Sequence, residues 1–447
     1  MEHPNALGEE SVGRLLWKFS VPAITGMVVN ALYNIVDSVF VGRGVGELGL
    51  AAVTIAFPLV IVLMGFGMLV GVGASARISI CLGQKDKAMA ELILGNATGL
   101  LFLLAAGLTA ALLVFLDPLL MLLGATPELL PMAREFTRVL LLGSIFMYLS
   151  FGLNSVIRAQ GHPKTAMATM LIAAGLNVVL NPIFIFGLHL GISGSALATV
   201  IAQAVAAFWV LLFLRSEKSF LKLHWKNLKP KRSIVAEIVS IGSSPFLMQI
   251  AASVVGVLFN HSLILYSGEL GVAAMGIINR VAMLLVMPVF GISQGAQPII
   301  GYNFGANNFQ RVKETLYKAG VAATLICCAA FLIVQIFDES IIRLFNGNEE
   351  LIAIGAFGMR IYLFMLPIIG FQVVCTTYFQ AVGKARQAIF LSLSRQFVFL
   401  LPLVLLLPRF FGLTGIWLAG PAADLVSSLL TGALLWLEFR HLNRMSL

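Results

Sequence analysis

The chain has 447 residues, of which 59% are hydrophobic and 11% are charged, and its mean hydropathy is +0.97. Soluble domains carry about 25% charged residues, so this composition excludes a soluble enzyme. A membrane-spanning helix needs roughly 20 apolar residues, and the chain is long enough for about a dozen of them. We therefore predict a polytopic membrane protein. The formal net charge of +9 is what basic loops beside a membrane would give, and it implies no acidic partner.

The absence of several motifs excludes further chemistries. The four cysteines show no CxxC spacing, and the six histidines show no HExxH, so neither a thiolate nor a histidine metal site is expected. There is no Walker A sequence, which argues against ATP hydrolysis. We expect no cofactor, and the energy for any transport has to come from a gradient or a partner. The polar first residues lack the pattern of a signal peptide, so the first apolar run is expected to be retained.

Twelve apolar runs, bounded by charges and by glycine or proline clusters, follow in chain order. Lipid offers no partner to backbone groups, and the runs lack the alternation of barrel strands, so each is predicted to be a helix. The prediction is an all-α membrane protein with twelve transmembrane helices. The spans are 12–40, 49–79, 89–115, 131–156, 163–187, 193–214, 234–264, 271–300, 312–337, 351–379, 385–409 and 414–438.

Lysine and arginine are distributed unequally between the loops. They concentrate near both termini and in the loops after even-numbered spans, and the opposite side carries only six arginines. The positive-inside rule then places both termini in the cytoplasm. The opposite-side residues are Arg43, Arg134, Arg138, Arg343, Arg360 and Arg409.

The longest basic stretch is RSEKSFLKLHWKNLKPKR at 215–232. A nucleic-acid patch is one interpretation. An interfacial linker, with lysine and arginine side chains reaching the membrane surface, is favoured because of its place between two sets of spans. We therefore expect contact with membrane lipid and none with nucleic acid.

The two sides of this linker repeat each other at an offset of 222 residues. GELGLAAV at 46–53 recurs as GELGVAAM at 268–275, and two further segment pairs align at the same offset. Six helices is an even number, so both halves start on the same membrane face and form two six-helix bundles related by a pseudo-twofold axis along the membrane normal. The predicted domains are an N-lobe at 1–214, a basic cytoplasmic linker at 215–233 and a C-lobe at 234–447. This architecture suits a transporter, with a cavity that opens to alternate sides.

Asp37, in the first span, is the residue that most strongly suggests function. In VVNALYNIVDSVFVG, residues Asn30, Asn34 and Asp37 fall at i, i+4 and i+7 and share one helix face. A carboxylate in low dielectric can take up a proton or hold a small cation, so a gradient can switch its charge. The alternative is a structural hydrogen bond near the outer helix end, with Arg43 as a partner.

The fifth and sixth spans add polar residues in pairs four positions apart. Asn177 and Asn181 share a face in GLNVVLNPIFIFG, and Pro182 frees a carbonyl that an ion or water can use. Thr199 and Gln203 form the second pair. The alternative is ordinary polar contact between helices. The positions 222 residues after the asparagines are apolar, so the cluster belongs to the N-terminal half alone.

The C-terminal half carries three intramembrane charges, Arg280, Arg395 and Asp424. Unpartnered charges are costly in lipid, so salt bridges or positions facing a cavity are expected. Two roles stay open at this point, namely substrate binding or gating, and stabilisation of the fold.

The chain resembles the multidrug and toxic compound extrusion (MATE) family over nearly its whole length, in the DinF-like branch and close to the MepA-type transporters. The resemblance rests on the twelve spans, the repeat, ALYNIVDSVFVGRGVG at 31–46 and GISQGAQPIIGYNFGA at 291–306. It implies a prokaryotic plasma-membrane exporter of organic, often cationic and amphiphilic drugs. Export would be driven by inward Na+ or H+ and alternating access between two lobes, and the protein is expected to act as a monomer.

By position, Asp37, Asn177 and Thr199 match the N-lobe cation or proton site of DinF-like relatives. Asn181 departs from them, because some relatives have a second aspartate there, and H+ is therefore favoured over Na+. The resemblance suggests no C-lobe cation site, because the acidic pair of the NorM-like branch has no equivalent here.

Two alternatives remain beside the exporter. A flippase for a lipid-linked oligosaccharide would share the architecture, but it should show more cationic groups facing the cavity than Arg280 and Arg395. A membrane-embedded enzyme would need an Asp-rich diphosphate motif or a catalytic dyad, and neither is visible in the sequence.

Overall fold

The computed structural model describes residues 5–345 and 347–445, apart from the side chains at positions 441, 444 and 445. The parts of the predicted lobes at 1–4, 346, 446 and 447 lie outside it. Within the described residues the protein is helical and contains no strand. In chain order the helices are α1 Ala6–Glu9, α2 Val12–Gly44, α3 Glu47–Gly83, α4 Lys87–Val114, α5 Leu116–Leu122, α6 Leu130–Leu142, α7 Ser144–Ala159, α8 Pro163–Pro182, α9 Gly191–Arg215, α10 Arg232–Gly305, α11 Phe309–Arg343, α12 Glu349–Tyr362, α13 Leu366–Ala381, α14 Ala385–Leu393 and α15 Leu401–Met445.

Three short segments of π- or 3₁₀-helix lie between these α-helices. The helix after Pro182 widens into a π-helical turn because proline cannot continue the regular hydrogen-bond ladder. A second π-helix joins α14 to α15, and a 3₁₀ turn lies in the basic linker. These segments are Ile183–Gly187, Ser394–Leu400 and Trp225–Asn227.

Most of the long helices are apolar enough to cross a membrane, which confirms the all-α membrane fold. The described residues contain eight such helices, or up to ten when each of two bent pairs counts as one span. The pairs are α6 with α7, bent by 53°, and α12 with α13, bent by 51°. Two of the eight are interrupted by a glycine with non-helical geometry, at Gly268 and at Gly412. Dividing them there agrees with twelve spans, and that number stays a prediction.

The internal repeat extends to the backbone. Gly46 and Gly268 each start a helix with positive φ, a conformation in which a glycine is favoured because it has no Cβ. The loops before α4 and α11 also match, since Asp86 and Asn308 each cap the following helix with a side-chain oxygen. Three pairs of positive-φ positions are separated by 222 residues: Gly46 (87°) and Gly268 (61°), Lys85 (62°) and Asn307 (57°), and Gly161 (97°) and Gly383 (77°).

The two halves meet where α3 packs on both parts of α10. Small residues allow the backbones to approach closely. A Cβ atom added at Gly73 would collide with the carbonyl oxygen of Ile238, and one at Gly83 with that of Tyr302. We call the membrane face near these contacts the linker side, because the basic linker and both described ends of the chain lie there.

The linker is packed against the N-terminal half. The Asn96 side chain in α4 donates to the Asn227 carbonyl oxygen at 3.1 Å and accepts from the Lys231 backbone at 2.5 Å. Gln160 Oε1 accepts from the Leu221 backbone at 3.0 Å. These contacts hold the linker from Leu221 to Lys231, so this stretch packs with the N-terminal half in this structure.

The short helix α1, in contrast, is hydrogen-bonded to the C-terminal half. Asn303 donates from Nδ2 to the Leu7 carbonyl oxygen at 2.9 Å, and Arg311 donates from Nη2 to that of Glu10 at 2.6 Å. Contacts between the halves are therefore reinforced at the linker side.

Candidate ion and substrate site

Asp37 lies where α2 packs against α8 and α9. Its Oδ1 atom accepts a hydrogen bond from Asn181 Nδ2 in α8. The same oxygen accepts a second from Ser195 Oγ in α9, at 3.2 Å. Asn181 and Ser195 are fully buried, and Asp37 is partly buried. The carboxylate is thus held by donors from two neighbouring helices, inside the N-terminal bundle.

A second layer of contacts continues from this carboxylate toward the linker side. Asn177 Oδ1 lies 3.5 Å from Asn181 Nδ2, and Asn177 Nδ2 donates to Thr199 Oγ1 at 2.9 Å. The structure therefore brings together Asp37, Asn177, Asn181 and Thr199, the four residues proposed from the sequence as the cation or proton site.

The described contacts of Asp37 are those of a hydrogen-bonded carboxylate. Both contacts to Oδ1 come from hydrogen donors, whereas Na+ needs several oxygen lone pairs pointing at one centre. Asn181 Oδ1 is buried and has no hydrogen-bond partner among the described residues. This atom is an unused acceptor on the residue that donates to Asp37.

Three residues of the predicted polar cluster do not contact Asp37. Asn34 donates to the Asn30 carbonyl oxygen at 2.7 Å, a bond within its own helix, and its side chain is exposed. Gln203 is two turns of α9 away from Ser195. A shared helix face is not sufficient for contact, because positions i and i+7 are about 10 Å apart along the axis.

Sequence reasoning missed Ser195. The signal was present, since Ser195 precedes Thr199 by four residues and so shares its face of α9. A serine hydroxyl is uncharged and common in membrane helices, where its usual partner is a backbone carbonyl of its own helix. Its contact with Asp37 appears only when α2 is placed against α9.

The charges of the C-terminal half separate into paired and unpaired groups. Arg395 Nε lies 2.6 Å from Asp424 Oδ1, and the Asp424 side chain is 4% exposed. This is the salt-bridged arrangement expected from the sequence. A second pair, Arg360 with the buried Asp338, was not predicted. Arg280 is exposed and stands in no ion pair within the described part of the chain.

The halves separate on the side opposite the linker, as the contacts of α2 and α10 show. Gly291 in α10 packs directly against Ile24 in α2. Eleven residues make about three helical turns, so Ile35 lies on the face of Ile24, and Arg280 lies on the face of Gly291. Ile35 is 53% exposed and Arg280 is also exposed. The faces that touch near the linker are apart at this level.

The other pair of helices shows the same divergence. Gly65 in α3 lies close to the Phe246 ring of α10. A Cβ atom added at Gly65 would be 3.1 Å from Cδ2 of that ring. Thr54 and Val257, each eleven residues farther from the linker side, are exposed, Val257 by 70%. We name this opening the interhalf cleft and define it by α2, α3 and both parts of α10.

Comparison with known proteins identifies the family to which this architecture belongs. The family model MatE matches the chain twice, over residues 22–183 and 245–406. The chain therefore belongs to the MATE family. One match falls in each half of the repeat. Members of the family are transporters, so the protein is a transporter and not an enzyme.

Relatives and solved structures support this placement. The chain is 30% identical over 410 residues to the multidrug export protein MepA of Staphylococcus haemolyticus, covering 91% of this chain and 90% of that one. A ligand-bound structure of the MATE multidrug transporter DinF-BH shares 38% identity and a TM-score of 0.91, with 98% of both chains covered. A MATE structure in complex with MaL6 shares 26% identity and a TM-score of 0.92, with 100% and 99% covered.

The structural matches extend over the whole transporter fold. MATE proteins carry their substrates through a membrane, and the candidate ion site and the interhalf cleft lie in the parts of the chain that these matches include. The site and the cleft are thus the two features of this MATE protein from which its transport chemistry has to be derived.

Proposed function

We propose that the protein is a secondary active multidrug exporter that couples efflux of small organic molecules to inward movement of H+. The observation that carries the proposal is the partly buried carboxylate of Asp37, held by donors from α8 and α9 inside a membrane bundle. Such a group changes charge with proton supply, and it costs too much in lipid to be kept without a role. The multidrug export function of the MepA relatives supports the substrate class.

The contacts of α2 suggest how protonation acts on the cleft. This helix carries Asp37 and also Ile24, which packs on Gly291 of the opposite half. When Asp37 is ionised, one oxygen accepts two hydrogen bonds. Protonation changes both bonds from charge-assisted to neutral and turns the other oxygen into a donor, so α2 is held less strongly against α8 and α9. An ion can drive transport only by favouring one of two conformations, and α2 connects this site to the interface between the halves.

The interhalf cleft supports alternating access. The two halves contact each other near the linker and diverge on the other side, which is the shape of a transporter closed on one face and open on the other. We propose that residues 5–214 and 234–445 act as lobes. With both termini in the cytoplasm, the cleft of this structure opens outward.

Proton coupling is preferred to Na+ coupling for two reasons. Only one carboxylate lies in the site, so a single proton neutralises it, whereas dehydrating Na+ requires more oxygen ligands than this arrangement directs at Asp37. The relatives are bacterial multidrug exporters, which supports a prokaryotic plasma membrane as the location. A monomer in contact with lipid suffices, since each half contributes to one cleft.

Purified protein in proteoliposomes tests the proposal. An imposed pH gradient should drive accumulation of a fluorescent drug, and adding the drug should in turn dissipate the proton gradient. A Na+ gradient at uniform pH should drive none. Transport that follows Na+ and ignores pH would overturn the proton assignment, and no drug transport under any gradient would overturn the exporter itself.

A further inference from the structure

Arg280 has no role in the proton site, yet it is an exposed charge within the predicted eighth span. It lies in the part of α10 that follows Gly268, about twelve residues from that break. Its side chain is exposed, and no hydrogen bond or ion pair joins it to any residue in the described ranges. By contrast, Arg395 is paired with Asp424. An unpaired arginine at this depth needs an explanation.

The position of Arg280 on its helix places it in the interhalf cleft. An arginine facing lipid at mid-membrane costs about 2.5–3.5 kcal/mol or more. Arg280 instead shares its face with Gly291, which packs on Ile24 of the opposite half. The face that contacts the other half near the linker therefore becomes the wall of the cleft at the level of Arg280.

The antiparallel packing of α2 and the second part of α10 also gives the depth of Arg280 in the cleft. Gly291 meets Ile24, and Gly295 meets Ser20, so facing residue numbers sum to 315. Arg280 is then opposite Ile35, within one helical turn of Asp37 in α2. The two charges do not face each other, because Asp37 is turned toward α8 and α9, where Asn181 and Ser195 hold it.

The remaining charges on the cleft helices do not neutralise Arg280. Glu47 and Glu269 stand at the outer starts of their helices, three or more turns away along the axis. Arg77 and Glu237 pair at 2.7 Å on the linker side. His261, exposed on the first part of α10, can only add positive charge. With Asp37 turned toward α8 and α9, the charges that the structure describes on the cleft wall at the depth of Arg280 are therefore positive.

The walls around this charge are apolar. Ile35, Val257 and Leu284 are exposed large hydrophobic residues on the cleft helices. Such a site fits a flat apolar body with one anionic group, since a guanidinium can bind a carboxylate through two parallel hydrogen bonds. A compound carrying only positive charge meets like charge there.

We propose that the cleft selects amphipathic substrates with an anionic group, a carboxylate or similar oxyanion, that pairs with Arg280. This rests on the proposed function, because it concerns the substrates of the same exporter. It extends the cationic class implied by the family resemblance to zwitterions, in which an apolar cation also carries a carboxylate.

A matched pair of dyes separates charge from shape. One is a zwitterionic rhodamine with a free carboxylate, and the other is its methyl ester, a cation of nearly the same form. Binding to purified protein is measured by fluorescence anisotropy, and transport is measured in proteoliposomes under a pH gradient. The variants are Arg280→Gln and Arg280→Lys. Both variants should fold, because the Arg280 side chain is exposed and lies outside the packed core. Size-exclusion chromatography checks this.

Loss of one charge-assisted contact should weaken binding of the carboxylate dye by about tenfold in Arg280→Gln. The ester should bind the variant as well as the native protein or better, and Arg280→Lys should keep most of the affinity for the carboxylate. Equal weakening of both dyes, or an unchanged ratio, would overturn the assignment. If neither dye is transported by the native protein but binding follows the predicted charge dependence, the exporter proposal fails while the role of Arg280 stands.

Discussion

Replacing Asp37 by asparagine tests the coupling site directly. Both hydrogen bonds to the carboxylate end on the same atom, Oδ1. An asparagine with its amide oxygen in that position keeps both partners, and each bond changes from charge-assisted to neutral at a cost of about 1 kcal/mol. The variant should therefore fold and insert, with a total loss of about 2 kcal/mol.

Transport by Asp37→Asn should fail for an energetic reason. One proton moving down a pH gradient of about 1.7 units supplies about 2.3 kcal/mol, which sustains roughly a fiftyfold concentration ratio of an exchanged substrate. An amide cannot change its charge in this way. We expect the ratio in the variant to fall to about one, the value for passive equilibration.

The assay is drug accumulation in everted membrane vesicles energised by a pH gradient, normalised to the amount of transporter. Asp117→Asn is the matched control, because Asp117 pairs with Arg134 at 2.5 Å outside the bundle interior and both side chains are well exposed. That variant should transport normally. Native-level accumulation by Asp37→Asn at equal expression would refute the reasoning and move the search for the coupling site to Asp424.

Three further predictions concern the second acid, the lobes and the buried ion pair. Asn181→Asp places two carboxylates side by side, so cation binding should strengthen and transport should become sensitive to Na+; transport that still ignores Na+ contradicts this. Cysteines introduced at Val39 and Leu265, near the outer ends of α2 and of the first part of α10, should stop export when bridged in a background without native cysteines, and bridged protein that exports at the normal rate would exclude lobe movement. Arg395→Leu leaves Asp424 buried without its partner and should destabilise the protein by about 3–5 kcal/mol, measured by thermal unfolding in detergent. Replacing both residues with apolar ones should restore much of that loss, and an unstable double variant would count against the ion-pair explanation.

Much of the fold could be predicted from the sequence alone. Length, hydropathy and the period of the apolar runs placed most helix ends within a few residues, as for the run at 89–115 and helix α4 Lys87–Val114. The repeat was visible because the same glycine-rich turns recur at Gly46 and Gly268. These features are local, since each depends on a short stretch of chain and on the cost of unsatisfied backbone groups in lipid.

The candidate ion site around Asp37 could be predicted in part. Asp37 and Asn181 stand out because charge and amides are rare in membrane helices. Their contact, 144 residues apart in the chain, was implied only by the family resemblance. Ser195 was not predicted. Asn34 was predicted to belong to the polar cluster, but its side chain donates to the Asn30 carbonyl oxygen of its own helix instead.

Only the tertiary structure decided how the helices are rotated against one another. That rotation pairs Arg395 with Asp424, turns Asp37 into the N-terminal bundle and leaves Arg280 unpaired on the wall of the cleft, as far as the described residues show. The sequence does not show which of these four intramembrane charges have a partner and which do not. The helical period fixes which residues share a face, but the direction of that face is set by packing against other helices, through contacts such as Gly291 on Ile24.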